Sequence, residues 1–289
     1  MPTDATPSKP VAIGRREEEA LIALVRAVAK AEILPRFRRL EVADIRAKTA
    51  PDDLVTEADL AAEAAISAGA REIFPEATVV GEEAAAADPS LLAVVDRGLT
   101  VIVDPVDGTW NFANGLALFG VILAVAVEGE TRFGLLYDPL LDDWVLARKG
   151  GGAWFGRPGE APVRLSVSPP RNESEMTGFL PLFLFAEERR TAAAAAMIRF
   201  GRVTSLRCSC HEYRLLAQGR CDFVVNAHLK VWDHAAGVLA VQEAGGCAEL
   251  LDGGTYDCRL TAGRLLVANA PSAIEILRAR FGAALESSS

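Results

Sequence analysis

Cysteine is scarce and unpatterned in this 289-residue chain: Cys208, Cys210, Cys221, Cys247 and Cys258 form an odd set with no disulfide-framework spacing. Cys208-Ser-Cys210 has no second Cys or His pair at ligand spacing, which removes a structural zinc site. Free, buried thiols in a reducing compartment are the expectation. Positive charge is in deficit, with 30 Lys and Arg against 39 Asp and Glu, a net charge of -9 and a pI near 5.0. That excludes broad electrostatic binding to nucleic acid or anionic membranes and leaves room for a small basic pocket. Long apolar runs are missing as well. Trp110 to Val127 is uncharged, yet Asn111, Asn114, Gly115 and Gly120 interrupt it short of the roughly 20 residues that a membrane span needs. MPTDATPSKP at the N-terminus lacks the apolar segment of a secretory signal, so a soluble, cytoplasmic protein is expected.

Hydrophobic residues make up 51% of the chain and charged residues 24%, enough for a large core in one domain or in two lobes sharing a cleft. Residues 1–12 and 287–289 read as frayed ends. Leu21, Leu24, Val25 and Val28 follow helical spacing and predict a helix from about Glu17 to Leu34. Thr56-Glu-Ala-Asp59 has capping-box form and predicts a second helix, ending before Pro75. Strands are predicted at Thr78–Val80, Thr100–Val103, Val121–Val127, Thr131–Tyr137 and Trp144–Ala147, the third and fourth as a hairpin. Beyond about residue 165 strands alternate with helices: helices at Thr191–Phe200, His211–Gln218, Ala235–Ala244 and from Pro271, strands at Asp222–Val225, Cys247–Leu251 and Arg264–Ala268. The expected division is an antiparallel α+β lobe over residues 13–165 and an α/β lobe over 166–286.

Three acidic features stand at the ends of predicted elements: Glu82-Glu83, Asp104-Pro-Val-Asp107 and Asp233. Each has an ordinary structural explanation. Asp before Pro initiates turns, Glu82-Glu83 could be a solvated loop, and Asp233 stands where the N-cap of the Ala235–Ala244 helix belongs. Jointly they point elsewhere. Strand-end loops project side chains into a common crevice, and carboxylates gathered there repel unless bridged by cations. An all-oxygen donor set without a histidine pair suits Mg²⁺ or Mn²⁺ rather than zinc or copper.

Gly81-Glu-Glu83, Asp104-Pro-Val-Asp-Gly-Thr109 with Asn111-Phe112, and Trp232-Asp-His-Ala-Ala-Gly237 resemble the blocks of the inositol monophosphatase family of Mg²⁺-dependent phosphatases. Asp53-Leu-Val-Thr-Glu-Ala-Asp59 and Glu243-Ala-Gly-Gly246 add two more, so that five blocks follow in order over about residues 15 to 275. The resemblance implies a layered α/β/α/β/α sandwich, usually in a homodimer, that hydrolyses a small phosphorylated metabolite. It implies one metal on Glu82, Asp104 and the carbonyl of Val106, a second on Asp104, Asp107 and Asp233, and help from Asp59 and Glu82 toward a third. Glu82, Thr109 and Asp59 would activate water, and Asp107, Gly108, Thr109 and Asp233 would meet substrate. Gly108 and Thr109 are expected to open a helix toward the phosphate. Paired cations about 4 Å apart can stabilise the entering and leaving oxygens of an in-line displacement, with no phosphoenzyme.

Substrate selection departs from the inositol-specific branch, which has a Gly-Thr-Ala-Ala stretch where this chain has Arg207-Cys-Ser-Cys210, and a glutamate where it has Asn226. A guanidinium gained and a carboxylate lost shift the pocket toward positive charge, so Arg207 would favour a second anionic group; the alternative is that it pairs with a neighbouring acid. His211 and His228 are expected to bond backbone, His234 to support its helix, and Lys230 to lie at the pocket rim or on the surface. Histidinol phosphate, fructose bisphosphate and nucleotide bisphosphate stand as alternative substrates. A regulatory partner of transcription or RNA machinery stands as an alternative of another class.

Overall fold

The computed structural model describes residues 13–285; the fraying expected at 1–12 and 287–289 lies outside them. Helix α1 (Arg15–Val28) passes through a wider turn at Ala29–Ile33. A short hairpin, β1 (Ile45–Ala47) and β2 (Leu54–Thr56), leads into α2 (Glu57–Ile73). The capping box forms as expected: Thr56 Oγ1 accepts from Ala58 N–H, and the Asp59 carboxylate accepts from Thr56 N–H. There follow β3 (Thr78–Gly81), α3 (Glu82–Ala87), β4 (Leu99–Asp107), the single-turn α4 (Thr109–Ala113), and the meander β5 (Gly120–Val127), β6 (Glu130–Asp138), β7 (Asp143–Arg148), β8 (Gly152–Gly156) and β9 (Val163–Arg164). Strands β3 to β9 form one sheet in sequence order, parallel only between β3 and β4. The expected hairpin closes on Glu128 and Gly129, both at positive φ, as a two-residue turn matched to strand twist requires.

The second half supplies β10 (Thr177–Phe179), α5 (Glu187–Met197), β11 (Arg202–Thr204), α6 (Ser209–Ala217), β12 (Phe223–Asn226), α7 (Val231–Glu243), β13 (Cys247–Leu250), β14 (Leu265–Ala268) and α8 (Pro271–Leu285). Its sheet runs β11-β10-β12-β14-β13, parallel on the β11 side and antiparallel on the β13 side. Helix α5 begins four residues before the expected Thr191 and ends three before Phe200.

Side-chain alternation along the strands shows how the layers stack. In β4, Val101 and Val103 join the core under α1 and α2, while Ile102 joins the core shared with α6 and α7. In β12, Val224 faces that same central core, and Phe223 and Val225 face α5 and α8. The order is therefore helices, large sheet, helices, small sheet, helices, the five-layer sandwich expected. Both sheets are covered on both faces, which explains why their strands read as continuous apolar runs.

Two sequence expectations are corrected near the site. Asp104-Pro does not start a turn: β4 continues to Asp107, and its pairing with β5 shifts register between Asp104 and Asp107. A bulge is where a strand tolerates proline, and it re-aims the neighbouring side chains. Helix α7 begins at Val231, not Ala235, so Asp233 stands inside its first turn and Lys230 takes the N-cap position. Burial of Val231 and Trp232 recruits them into the helix. Among the described residues no helix is long and apolar enough to cross a membrane; Trp110 to Val127 becomes part of α4, a loop and β5.

Candidate metal and phosphate site

Glu82 opens α3 directly after β3, and the buried Glu63 on α2 sets that start. Its carboxylate accepts the N–H groups of Glu83 and Ala84, each at 2.8 Å. Gly81 is required there, because a Cβ would lie 2.2 Å from Glu63 Cδ. Asp104 and Asp107 flank the bulge at the end of β4, and Asp104 Oδ1 accepts Val106 N–H at 3.1 Å. Gly108 then turns the chain at φ 88° into α4. Asp233 projects from the first turn of α7. Carboxylate oxygens of Glu82, Asp104 and Asp233 lie within 4.8 Å of one another, at the floor of a cavity of about 200 Å³.

Asp107, Gly108, Thr109, Arg207 and Asn226 line the same cavity. Asp59 and Val106 do not line it and stand behind Thr109. Thr109 Oγ1 lies 3.1 Å from Asp59 Oδ1 and 3.0 Å from the Val106 carbonyl, so its one proton is directed at that pair of acceptors. Asp59 Oδ2 is held by Thr56 Oγ1 at 2.5 Å and by Thr56 N–H at 2.8 Å. The capping carboxylate is thus also the support of the Thr109 hydroxyl.

The electrostatics are those of too much buried negative charge. Burial first, then the neighbouring carboxylates, push Asp104 well above the usual carboxylate range and Asp233 up to about 8. Burial also raises Asp107 and Asp59, each to about 6, and Glu83 to about 7. Lys48, from the β1–β2 loop, is the nearest counter-charge: its Nζ donates to Glu82 Oε1 at 3.0 Å and to Glu83 Oε1 at 2.6 Å. Burial opposes the Lys48 charge, but the two glutamates outweigh it and its pKa rises. Lys230 lines the cavity with Nζ 3.8 Å from Glu82 Oε1 and the outer half of its side chain in solvent, which places it at the rim. An ammonium resting on converging carboxylates marks a place built for cations. The donor set is all oxygen, and the thiols of Cys208, which lines the cavity, and of Cys210 behind it are pushed well above their ordinary pKa by burial, so they remain protonated. These residues fit a hard divalent cation such as Mg²⁺.

Several residues of the site escaped the sequence. Lys48 sits in a polar stretch with nothing to mark it. Cys208 Sγ lies 3.2 Å from Asp107 Oδ2, which also accepts Cys210 N–H, so the segment after Arg207 fixes the orientation of Asp107. Glu212, raised to about 8 by burial, accepts Leu206 N–H at 2.7 Å and braces the loop that holds Arg207 at φ 53°. The Arg207 guanidinium is stacked between Trp110 at 4.5 Å and Phe183 at 4.3 Å, and pairs with Asp52 at 3.2 Å. Arg207 thus lines the cavity and has an acidic partner in Asp52. His211 Nε2 meets the Phe119 carbonyl at 3.1 Å, as expected of a lone histidine, and His234 ties its helix to the His228 carbonyl at 2.8 Å.

The profile of the Inositol monophosphatase family matches residues 16–285. A fructose-1,6-bisphosphatase/inositol-1-monophosphatase of Thermotoga maritima is 32% identical over 213 residues, 71% of this chain and 74% of that one. A histidinol-phosphatase of Chlorobaculum parvum is 32% identical, covering 75% and 83%, and the Nus factor SuhB of Pasteurella multocida is 32% identical, covering 78% and 82%. Among solved structures, an IMPase of Thermotoga maritima superposes with a TM-score of 0.76 over 93% of this chain and 99% of its own, at 26% identity. Sequence blocks, five-layer fold and clustered carboxylates agree with these matches: the chain belongs to the inositol monophosphatase family.

Proposed function

We propose that this protein hydrolyses a small phosphomonoester to an alcohol and inorganic phosphate in the presence of Mg²⁺. The convergence of Glu82, Asp104 and Asp233 beside the Thr109–Asp59 pair carries that reading. Glu82, Asp104, Asp107, Asp233 and the Val106 carbonyl would hold the metal, with Asp59 close by. The bound cations would neutralise the phosphate and lower the pKa of water in the site. Thr109 directs its own proton toward Asp59 and the Val106 carbonyl, so a lone pair is left to accept a hydrogen bond from the attacking water. Asp59, at a pKa of about 6, can take the proton that Thr109 passes on, and Glu82 orients the same water. Lys48 and Lys230 add positive charge for the entering phosphate. The division at 165/166 is a proposal supported by the large sheet ending at Arg164 and the small one starting at Thr177, and the homodimer is a proposal by family kinship.

Arg207 is proposed to favour esters with a second anionic group. Its partner Asp52 is half exposed, and an ion pair of that kind contributes only up to about 1 kcal/mol, so an anion on the substrate can displace it. Names among the relatives favour the same class, since one is a fructose-1,6-bisphosphatase/inositol-1-monophosphatase. Kinship with a Nus factor supports a second reading, a regulatory partner of transcription machinery, which the net charge of -9 opposes where RNA would be the target.

Phosphate release from a broad panel of phosphorylated metabolites tests these readings. Turnover should require Mg²⁺ or Mn²⁺ and vanish in Asp104→Asn and Asp233→Asn. Robust metal-independent turnover refutes the mechanism, and silence across the panel favours the regulatory reading. Arg207→Ala should narrow the preference for a bisphosphate over inositol monophosphate; an unchanged preference removes Arg207 from substrate choice.

A further inference from the structure

A second cavity, of about 300 Å³, opens on the side of α7 turned away from the carboxylates. No described residue lines both cavities. Ala235, Val238, Leu239 and Gln242, spaced as one face of a helix, form its wall, and Asp233 stands about 200° round the helix from Ala235. The turn between β5 and β6 and the loop between β13 and β14 close it, and the two are latched together. Cys258 Sγ donates to the Gly129 carbonyl at 2.9 Å, and Arg259 lies so close over Gly129 that a Cβ there would fall 2.5 Å from its Cδ. On the third side the β7–β8 turn, with Lys149, is held to α7: Glu243 accepts Gly150 N–H at 2.7 Å and Gly152 N–H at 2.8 Å. The cavity is thus preformed, at the lower end of the size range that holds small molecules.

The charges around it do not cancel. Glu130 is shared by Arg132 at 2.7 Å and Lys149 at 3.3 Å, and Asp257 accepts from Arg259 Nε at 2.8 Å. Glu128 has no cation beside it among the described residues; its Oε1 accepts the Gly98 N–H at 3.1 Å. The last turn of α7, reached at Gln242, adds the partial negative charge of a helix C-terminus. The surplus is negative and attracts a cation. The inner wall is apolar, with Ala235, Val238 and Leu239 all buried. Tyr256 lines the cavity as well, and its hydroxyl is buried with no hydrogen-bond partner among the described residues. Burial first, and then Cys258 and Asp257 of the same cavity, push that phenol well above its ordinary pKa, so it stays neutral and able to donate. A buried donor without an acceptor is unfavourable, and a ligand that brings the acceptor relieves it.

We propose that this cavity is a second ligand site, which takes a short aliphatic ammonium compound with an oxygen acceptor at its other end. The ammonium meets Glu128, the carbon chain lies along α7, and the acceptor takes the hydrogen of the Tyr256 hydroxyl. Each part of the ligand answers one feature of the wall. Phosphate esters are not its ligands, because the cavity has no helix N-terminus and its surplus charge is negative. The occupant is therefore not the substrate, and the inference stands independently of the phosphatase reading.

The chain has three tyrosines, Tyr137, Tyr213 and Tyr256, so fluorotyrosine labelling yields a small set of fluorine NMR signals, that of Tyr256 being assigned through Tyr256→Phe. The probes are 4-aminobutan-1-ol and butane-1,4-diol, which differ by an ammonium in place of a hydroxyl. Both are titrated with Mg²⁺ at saturation, so that the carboxylates of the first cavity do not compete for the amine. The amino alcohol should shift the Tyr256 signal saturably, with a Kd of about 1 mM or tighter and about fivefold or more below that of the diol. Glu128→Gln should weaken it by about fivefold, and Lys149→Met, which takes a cation from the rim, should tighten it by about twofold or more. Both residues are exposed, and unmoved Tyr137 and Tyr213 signals show that the variants are folded. No saturable shift at Tyr256, equal binding of the diol, unchanged affinity in Glu128→Gln or no tightening in Lys149→Met overturns the proposal. So does a shift confined to Tyr213, which puts the probe beside the first cavity instead.

Discussion

Replacing Asp233 by asparagine should destroy activity and at the same time stabilise the metal-free protein. Without a cation, burial and then the surrounding carboxylates hold the Asp233 carboxyl up at about 8 against an ordinary 3.8. A carboxyl raised by folding binds its proton more tightly in the native state, so its ionisation weighs against folding. The effect is absent below about pH 4, grows as pH rises, and levels off above about pH 8. At pH 7 roughly three pH units lie above the ordinary value, and at ~1.4 kcal/mol each they amount to about 4 kcal/mol. At pH 5 the same reasoning leaves under 2 kcal/mol. Asparagine keeps the shape and cannot ionise, so Asp233→Asn should gain up to about 4 kcal/mol at pH 7, a rise in Tm of roughly 8 °C for a chain of this size. The gain should shrink toward pH 5. Scanning calorimetry in EDTA at pH 5 and pH 7, then with Mg²⁺, measures all of this. Added Mg²⁺ should raise the Tm of the wild type much more than that of the variant. A variant less stable than the wild type at pH 7 in EDTA, or a gain independent of pH, would refute the picture of a site strained by its own charge.

Two further outcomes follow from the same geometry. Lys48→Met removes an ammonium that rests on Glu82 and Glu83, so the apparent affinity for Mg²⁺ measured by calorimetry should rise by about tenfold, equivalent to ~1.4 kcal/mol, and an unchanged affinity would show that Lys48 and the metal do not compete. Cys208→Ala strips a thiol donor from Asp107 and should lower kcat by roughly three- to tenfold with Cys208→Ser restoring most of it, in line with one ordinary hydrogen bond from a weak donor; full activity in the alanine variant would remove the thiol from the positioning of Asp107.

Local chemistry made much of the architecture legible. The capping box at Thr56 and Asp59, the glycine turn between β5 and β6 and the periodicity of α1 are signals that need no distant partner. Where the sequence reading slipped, tertiary packing had overridden a local rule. Buried Val231 and Trp232 extend α7 beyond the apparent cap, and the β5 pairing carries β4 through Asp104-Pro as a bulge instead of a turn.

The site divides in the same way. Its carboxylates announce themselves because acidic residues at the ends of apolar strands are locally anomalous, and their oxygen chemistry alone points to hard cations. Lys48, Glu63, Cys208 and Glu212 carry no such anomaly. Their roles arise from approaches across long stretches of chain, as when Cys208 meets Asp107 or Glu63 meets the start of α3. By itself the sequence determined the order of helices and strands and the identity of the charges to be neutralised, since both follow from hydrophobic pattern and residue type, while the layered sandwich was implied by the resemblance of its motif blocks. The tertiary structure alone decided which way each of those groups points. Orientation is a property of hydrogen bonds between α6, α7 and two sheets, and no local pattern encodes it.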